Sequence, residues 1–314
     1  MLVDRIVRTM AGMLLTRIPP PSLRLVVRSM WASEPGPAGA LAQLAPRREH
    51  VLPTGDMHLV FRLSGSPLRL FAGAGDGTGW TMGHAIVGGA RSAFYAREVG
   101  GPTASVGAQL CPGAAWALFG VPASSLAERH TPLDALWGAA AAEALDLLHG
   151  LRTAPARLAA FEALLVRRLA QRPLALHPAV AQGLRGVADG VPVGELVRAS
   201  GYSHRHFAAL FKEAAGLAPK RLQRVLRFQR LLATAPGSVP WAELALALGY
   251  SDQSHFIREF GDIAGMSPEA YRRAAPSAPN HVPIDRSTSS KTWGTGGIRI
   301  APTPLHRGPP NDRP

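Results

Sequence analysis

The stretch Ala247-Leu248-Gly249-Tyr250-Ser251-Asp252-Gln253-Ser254-His255-Phe256 decides the C-terminal half of this chain. A short run from Trp241 to Leu248, with Ala242, Leu244, Ala245 and Leu248 on one apolar face, reads as a helix. It stops at Gly249, a residue that can take the left-handed backbone of a tight turn. Ser251 follows as a natural N-cap, and Phe256 and Phe260 lie one helical turn apart on the inner side of a second helix. Gly265 ends that helix. Ser267-Pro268 starts another, with serine as cap and proline where no N–H is needed.

The same plan occurs earlier. Glu195 to Ala199 form the short helix, Gly201 the turn and Ser203 the cap, followed by Phe207, Phe211, Gly216 and Pro219. From Phe207/Phe256 to Pro219/Pro268 the offset between the copies is constant at 49 residues, and it is 48 at the turn glycines. A helix-turn-helix unit present twice can place two helices in successive major grooves, about one DNA turn apart. Between the copies, Pro219 to Leu232 reads as a connecting helix with Arg221, Arg224, Arg227 and Arg230 at every third position. Those arginines are either a solvated face or phosphate contacts.

With the phenylalanines inward, Asp252, Gln253, Ser254, Ile257 and Arg258 point outward from the second copy. Gln, Ser and Arg are what base edges and phosphates accept. The outer face of the first copy is His204, Arg205, Ala208 and Ala209, whose alanines let the helix sit close to the groove or touch thymine methyls. Ser203, Ser251, Arg221 and Arg224 are the candidate phosphate contacts. Gly249 and Phe256 read as fold-makers.

Composition agrees with a polyanionic partner. The 314 residues carry a formal net charge of +13, almost all of it from arginine, with a pI near 11.2. Neutralising phosphates releases counterions, which favours such a surplus. Cys111 is the only cysteine, so an intrachain disulfide and Cys-rich metal sites are excluded and a reducing cytoplasm fits best. No apolar run approaches the ~20 residues of a membrane span. Asp4, Arg5, Arg8 and Arg17 interrupt the N-terminal stretch, which therefore does not read as a signal peptide.

The expected fold class is α+β, with a β-rich barrel or sandwich-like domain followed by an all-α double helix-turn-helix domain. Residues 1–17 read as a short amphipathic helix or loose extension. Residues 18–172 form the β-rich domain, on short runs such as Met57 to Leu63 and Leu68 to Ala72, ending in helices over Leu133–His149 and Arg157–Arg172. Residues 175–275 are the helical domain. Residues 276–314, rich in Pro, Ser, Thr and Gly, read as a disordered tail.

Three constellations in the N-terminal half bear on chemistry. His50, Asp56 and His58 are a conceivable metal set, but Asp56 capping a turn and His58 on a strand face is the favoured reading. Cys111 reads as a small buried side chain in preference to a nucleophile. Trp31, Trp80, Trp116 and Tyr95 line a ligand pocket or belong to the core.

The strings Gly201 to Phe207, Arg227-Phe228-Gln229-Arg230-Leu231-Leu232, Ala247 to Phe256 and Gly265 to Arg273 together resemble the C-terminal domain of the AraC/XylS family of transcription regulators. They cover about a third of the chain. The resemblance implies a cytoplasmic activator that binds double-stranded DNA and meets RNA polymerase, needing no cofactor. It places Arg205 in the first reading helix and Gln253, Ser254 and Arg258 in the second. Members carry a polar or basic residue at the positions of Ala208 and Ala209, so weaker direct readout is expected there. Leu52 to Phe61, Cys111 to Ala114 and Phe119 to Pro122 resemble an uncharacterised N-terminal domain of such regulators. That domain would sense a small-molecule effector or make a homodimer. The alternative is a catalytic N-terminal domain targeted by a DNA-binding one.

Overall fold

The computed structural model describes residues 4–9, 12–35, 47–73, 76–100, 103–172, 174, 176–234 and 239–284. The N-terminal part supplies β1 (Asp4–Thr9), β2 (Gly12–Arg17), β3 (Val27–Pro35), β4 (Arg47–Val51), β5 (Met57–Arg62) and β6 (Leu68–Phe71). β7 (Trp80–Gly83), β8 (Ala85–Gly88), β9 (Tyr95–Val99), β10 (Ser105–Leu110) and β11 (His130–Pro132) follow. The helices among and after them are α1 (Ala114–Phe119), α2 (Ala123–Leu126), α3 (Asp134–Trp137), α4 (Ala139–His149) and α5 (Ala154–Leu169).

These strands make two open antiparallel sheets, so the fold is sandwich-like and no barrel closes. One has seven strands in the order β1-β2-β3-β10-β5-β8-β11. The other has five, in the order β12-β4-β9-β6-β7, where β12 (His281–Ile284) comes from beyond the helical domain.

Register explains why the large sheet has two characters. Ala32, Val106 and Phe61 form one cross-strand row, and Met30, Ala108 and Leu59 the next. All six are buried, and Phe61 meets Phe161 of α5 and Trp137 of α3 at ring separations of 5.9 and 6.5 Å. Shifting by one residue reverses the face. The rows Trp31, Gly107, Val60 and Ser29, Gln109, His58 then look towards the second sheet. A Cβ on Gly107 would collide with the Trp31 indole, so the glycine lets that ring lie flat across the strand.

The helical part is α6 (Pro178–Asp189), α7 (Val193–Ser200), α8 (His204–Ala215), α9 (Pro219–Thr234), α10 (Trp241–Ala247), α11 (Gln253–Ala264) and α12 (Pro268–Ala274). Units α7–α8 and α10–α11 are the two copies, joined by α9. No helix among the described residues is long and apolar enough to cross a membrane.

Several expectations are corrected. Residues 4–9 and 12–17 are paired strands, not a helix or loose extension, because each supplies a full ladder to its neighbour. The segment read as a tail begins in order: His281–Ile284 pairs with β4 and buries Val282. Residues 285–314 lie outside the described residues. The helix expected over Leu133–His149 breaks at Gly138, whose φ of 59° interrupts it.

Candidate nucleic-acid interface

In the second unit, Gly249 turns the chain with φ 77° and Phe256 and Phe260 are buried. The cap is Asp252, not Ser251: its carboxylate accepts the His255 N–H at 2.7 Å, while Ser251 donates to Asp252 at 3.2 Å. The His255 N–H bond lowers the Asp252 pKa, so a fixed negative charge stands at the start of α11. Gln253, Ser254 and Arg258 are exposed on one face, with Ile257 half-buried beside them. Trp241 is buried on α10 where Ala242 was expected to be, since the helix begins with its indole packed on Phe256 at 5.8 Å.

In the first unit, Gly201 has φ 71° and Ser203 caps α8 by accepting the His206 N–H at 3.3 Å. His204, Arg205 and Ala209 are exposed, Ala208 is half-buried, and Arg205 has no ion-pair partner among the described residues.

Three of the four arginines of the connecting helix are engaged by groups of the protein itself. Arg224 and Arg227 bond Glu259 of α11 at 2.8 and 2.6 Å, and Arg230 donates to the Ala188 carbonyl at 2.9 Å. Burial pushes the Glu259 pKa up, but the two arginines outweigh it and the net shift is downward. Arg221 remains exposed, 3.9 Å from Glu128 of the N-terminal domain. Glu259 was not singled out from the sequence; its place three residues after Phe256, on the buried side of α11, was the available signal.

Both outward-reading helices dock their C-terminal ends on the N-terminal domain. Helix ends leave carbonyls without intrahelical donors. At α8, the Ala214 carbonyl accepts from Gly113 N–H at 2.8 Å, and Gly216 packs against Ala90 and Ala123. At α11, the Ile263 carbonyl accepts from Phe94 N–H at 2.8 Å and Ala264 from His50 Nδ1 at 3.0 Å. Gly265 lies against the Phe94 ring, where a Cβ would collide.

Behind this interface, between the two sheets, is a cavity of about 600 Å³. Its walls include Trp31, His58, Arg91, Tyr95, Arg97 and His130. Asn280 and His281 also line it, so chain from beyond the DNA-facing helices closes one side. Gln229 of α9 donates to the Pro53 and Asn280 oxygens at 2.7 and 2.9 Å, tying that wall to the connecting helix. His281 and Arg97 bond Glu49; burial raises its pKa, but these bonds bring it to about 2.

The constellations weighed from sequence separate here. His50 serves α11, while Asp56 caps no turn: its carboxylate accepts from Arg28 at 2.6 Å and Gln109 at 2.8 Å. His58 lines the cavity, and burial lowers its pKa to about 4. Among the described residues no group of three or more His, Cys, Asp or Glu is placed to hold a metal. Cys111 is half-buried, with its thiol pKa raised by burial. Of the aromatic set, Trp31 and Tyr95 line the cavity; Trp116 is exposed and Trp80 packs beside Leu70.

Two units with capped, outward-facing helices and a duplicated pattern define a DNA-reading domain. Residues 196–274 match the family described as a helix-turn-helix domain, and residues 16–132 match a domain of unknown function, DUF6597. The chain is a DNA-binding transcription regulator whose C-terminal part carries a helix-turn-helix domain. No curated protein sequence is a significant match. Among solved structures it is similar to ToxT from Vibrio cholerae O395, at 10% identity over 72% of this chain and 95% of that one, TM-score 0.38. It is also similar to an apo ToxT variant from strain SCE256, at 9% identity over 74% and 93%, TM-score 0.39.

Proposed function

We propose that α8 and α11 enter successive major grooves of one operator in the cytoplasm, with α9 as spacer. The observation that carries this is the pair of exposed helix faces on a 16-residue connector, roughly 24 Å long. Arg205 reads bases in one half-site, flanked by His204, Ala208 and Ala209. Gln253, Ser254 and Arg258 read the other, with Ile257 against a base methyl. Asp252 holds the start of α11 in place, while Ser203, Ser251 and Arg221 meet phosphates. Arg224 is spent on Glu259 and contributes little to phosphate binding. The sheet domain senses an effector in its cavity and passes its occupancy to the docked helix ends.

Selection of genomic fragments bound by the full chain tests this. The expected result is a motif with two half-sites about one turn apart. Arg205→Ala should relax one half and Arg258→Ala the other. A single half-site indifferent to Arg205 would overturn two-unit reading, and equal losses on random DNA would reduce both arginines to phosphate contacts.

A further inference from the structure

The carboxylates that face the cavity are already taken. Asp56 pairs with Arg28 at 2.6 Å and Glu98 with Arg69 at 3.9 Å. Arg97, in turn, is matched by Glu49 at 2.5 Å. Arg62 spends its guanidinium on the Ser66 carbonyl at the rim. Arg91 is different. It is 5% exposed, lines the cavity, and has no ion-pair partner among the described residues. Its side-chain bond runs from Nη2 to His130 Nδ1 at 3.2 Å, and its Nε has no partner. Glu128, the carboxylate of the adjoining segment, is taken up by Ser92 at 2.5 Å and faces Arg221.

Glu128 acts on Arg91 only from beyond ion-pair contact. A buried guanidinium with no carboxylate in contact is costly, and an anion placed beside it recovers that cost. The groups around Arg91 suit such an anion. Accepting from Arg91 at Nδ1 fixes His130 as the neutral Nε2–H tautomer, and the Tyr95 ring lies 5.1 Å from the Arg91 guanidinium. About 600 Å³ is the volume of an organic ligand, not of an inorganic ion, and Trp31, Val60, Leu68 and Ile86 give it apolar walls.

Arg91 also stands in a loop that touches the ends of both reading helices. Ala90 seats Gly216 at the end of α8, while Phe94 donates to Ile263 and packs on Gly265 at the end of α11. We propose that the cavity binds a small organic acid whose carboxylate is held by Arg91, and that loop 89–94 carries this occupancy to the ends of α8 and α11. This rests on the cavity being the effector site.

The test uses the full chain with benzoate, cinnamate and octanoate, each against its primary amide, by thermal shift and equilibrium dialysis. The acids should stabilise the protein and the amides should not. Arg91→Met should weaken acid binding about ten-fold or more and melt no lower without ligand, since it removes an unpaired buried charge. Acids should alter affinity for the selected operator in the wild type and not in Arg91→Met. Equal binding of acids and amides overturns the carboxylate assignment while leaving the cavity as the effector site. Binding of neither overturns both. Arg91-dependent acid binding with unchanged operator affinity overturns the relay. The acid–amide comparison needs no variant, so it stands even if Arg91→Met does not fold.

Discussion

The two helix-turn-helix units share a sequence pattern and differ in how they are attached. Phe207 and Phe211 of the first belong to the same buried cluster as Leu59, Phe61 and Phe161 of the sheet domain. Phe256 and Phe260 of the second sit in a separate cluster, which takes in Leu52 and Val282 and has Phe94 and Ile284 packed against it. Polar bonds do the rest for the second unit: Glu259 to Arg224 and Arg227, and the α11 carbonyls to Phe94 and His50. Thus one copy is an extension of the sheet domain's core, and the other is held by directional bonds that can open without exposing that core. In a regulator, the second kind of attachment is the one an effector can shift at modest cost.

Core truncations give the largest test of that contrast. Phe211→Ala and Phe260→Ala should each cost about 3–5 kcal/mol where they act. Phe211→Ala should lower hydrogen-exchange protection across β5 and β10 as well as the first unit. Phe260→Ala should confine the loss to α9–α12 and β12. Equal loss of protection in β5 from both would mean the chain has a single core after all.

Acid should separate the units next. Burial lowers the His50 pKa to about 4, from the ordinary value of 6.5, although its bond to the Ala264 carbonyl works the other way. A folded-state pKa below the unfolded one means this stability is complete above pH 6.5 and drains away as pH falls towards 4. The slope is about 1.4 kcal/mol per pH unit, roughly 3 kcal/mol in all. His58 and His130, both lowered by burial, act in the same direction. His50→Asn keeps a donor for Ala264 and removes the titration. Between pH 6.5 and 4 its melting temperature should therefore fall less than the wild type's. Parallel melting curves would remove His50 from the attachment of α11.

What the sequence reveals follows the range of each interaction. Turn glycines 201 and 249, the Ser203 and Ser267 caps and the phenylalanine spacing are local, and each is legible within a few residues. The choice of Asp252 over Ser251 as cap is also local but turns on a one-residue difference in backbone that both side chains tolerate. Strand β12 was not legible because its partner, β4, lies more than two hundred residues away in sequence. The cavity was half legible. His58, Val60 and Arg62 alternate with Met57, Leu59 and Phe61, which marks a polar and an apolar face. Whether the polar face meets water or a second sheet is decided only by packing. The connecting arginines show the same limit, since their spacing marks a charged face and Glu259, on another helix, decides its use.

At the DNA surface the contrast becomes one of chemistry. Arg258→Ala should lose about 1–3 kcal/mol of operator affinity, with little change on random DNA. Arg205→Ala should lose a similar amount. Restoring a polar residue in the first unit by Ala209→Gln should then sharpen discrimination at that half-site while leaving the second unit's half unchanged. Competition binding against single-base variants of the selected operator reads both effects. No change in base preference from Ala209→Gln would show that α8 holds the groove through its backbone-proximal residues alone.

The smallest expected effect falls where the units should not differ. Gly201 and Gly249 hold φ 71° and 77°, and a Cβ on either meets nothing within 4 Å. Alanine there therefore pays for backbone strain only, about 1–2 kcal/mol. The cost should be the same in both units, because neither turn touches the sheet domain, whatever holds the helix beyond it. Chemical denaturation of Gly201→Ala and Gly249→Ala with matched m-values makes the comparison. A clearly larger loss for Gly249→Ala would mean that the second turn is strained by the docking of α11, and that the difference between the units begins at the turn and not at the helix ends.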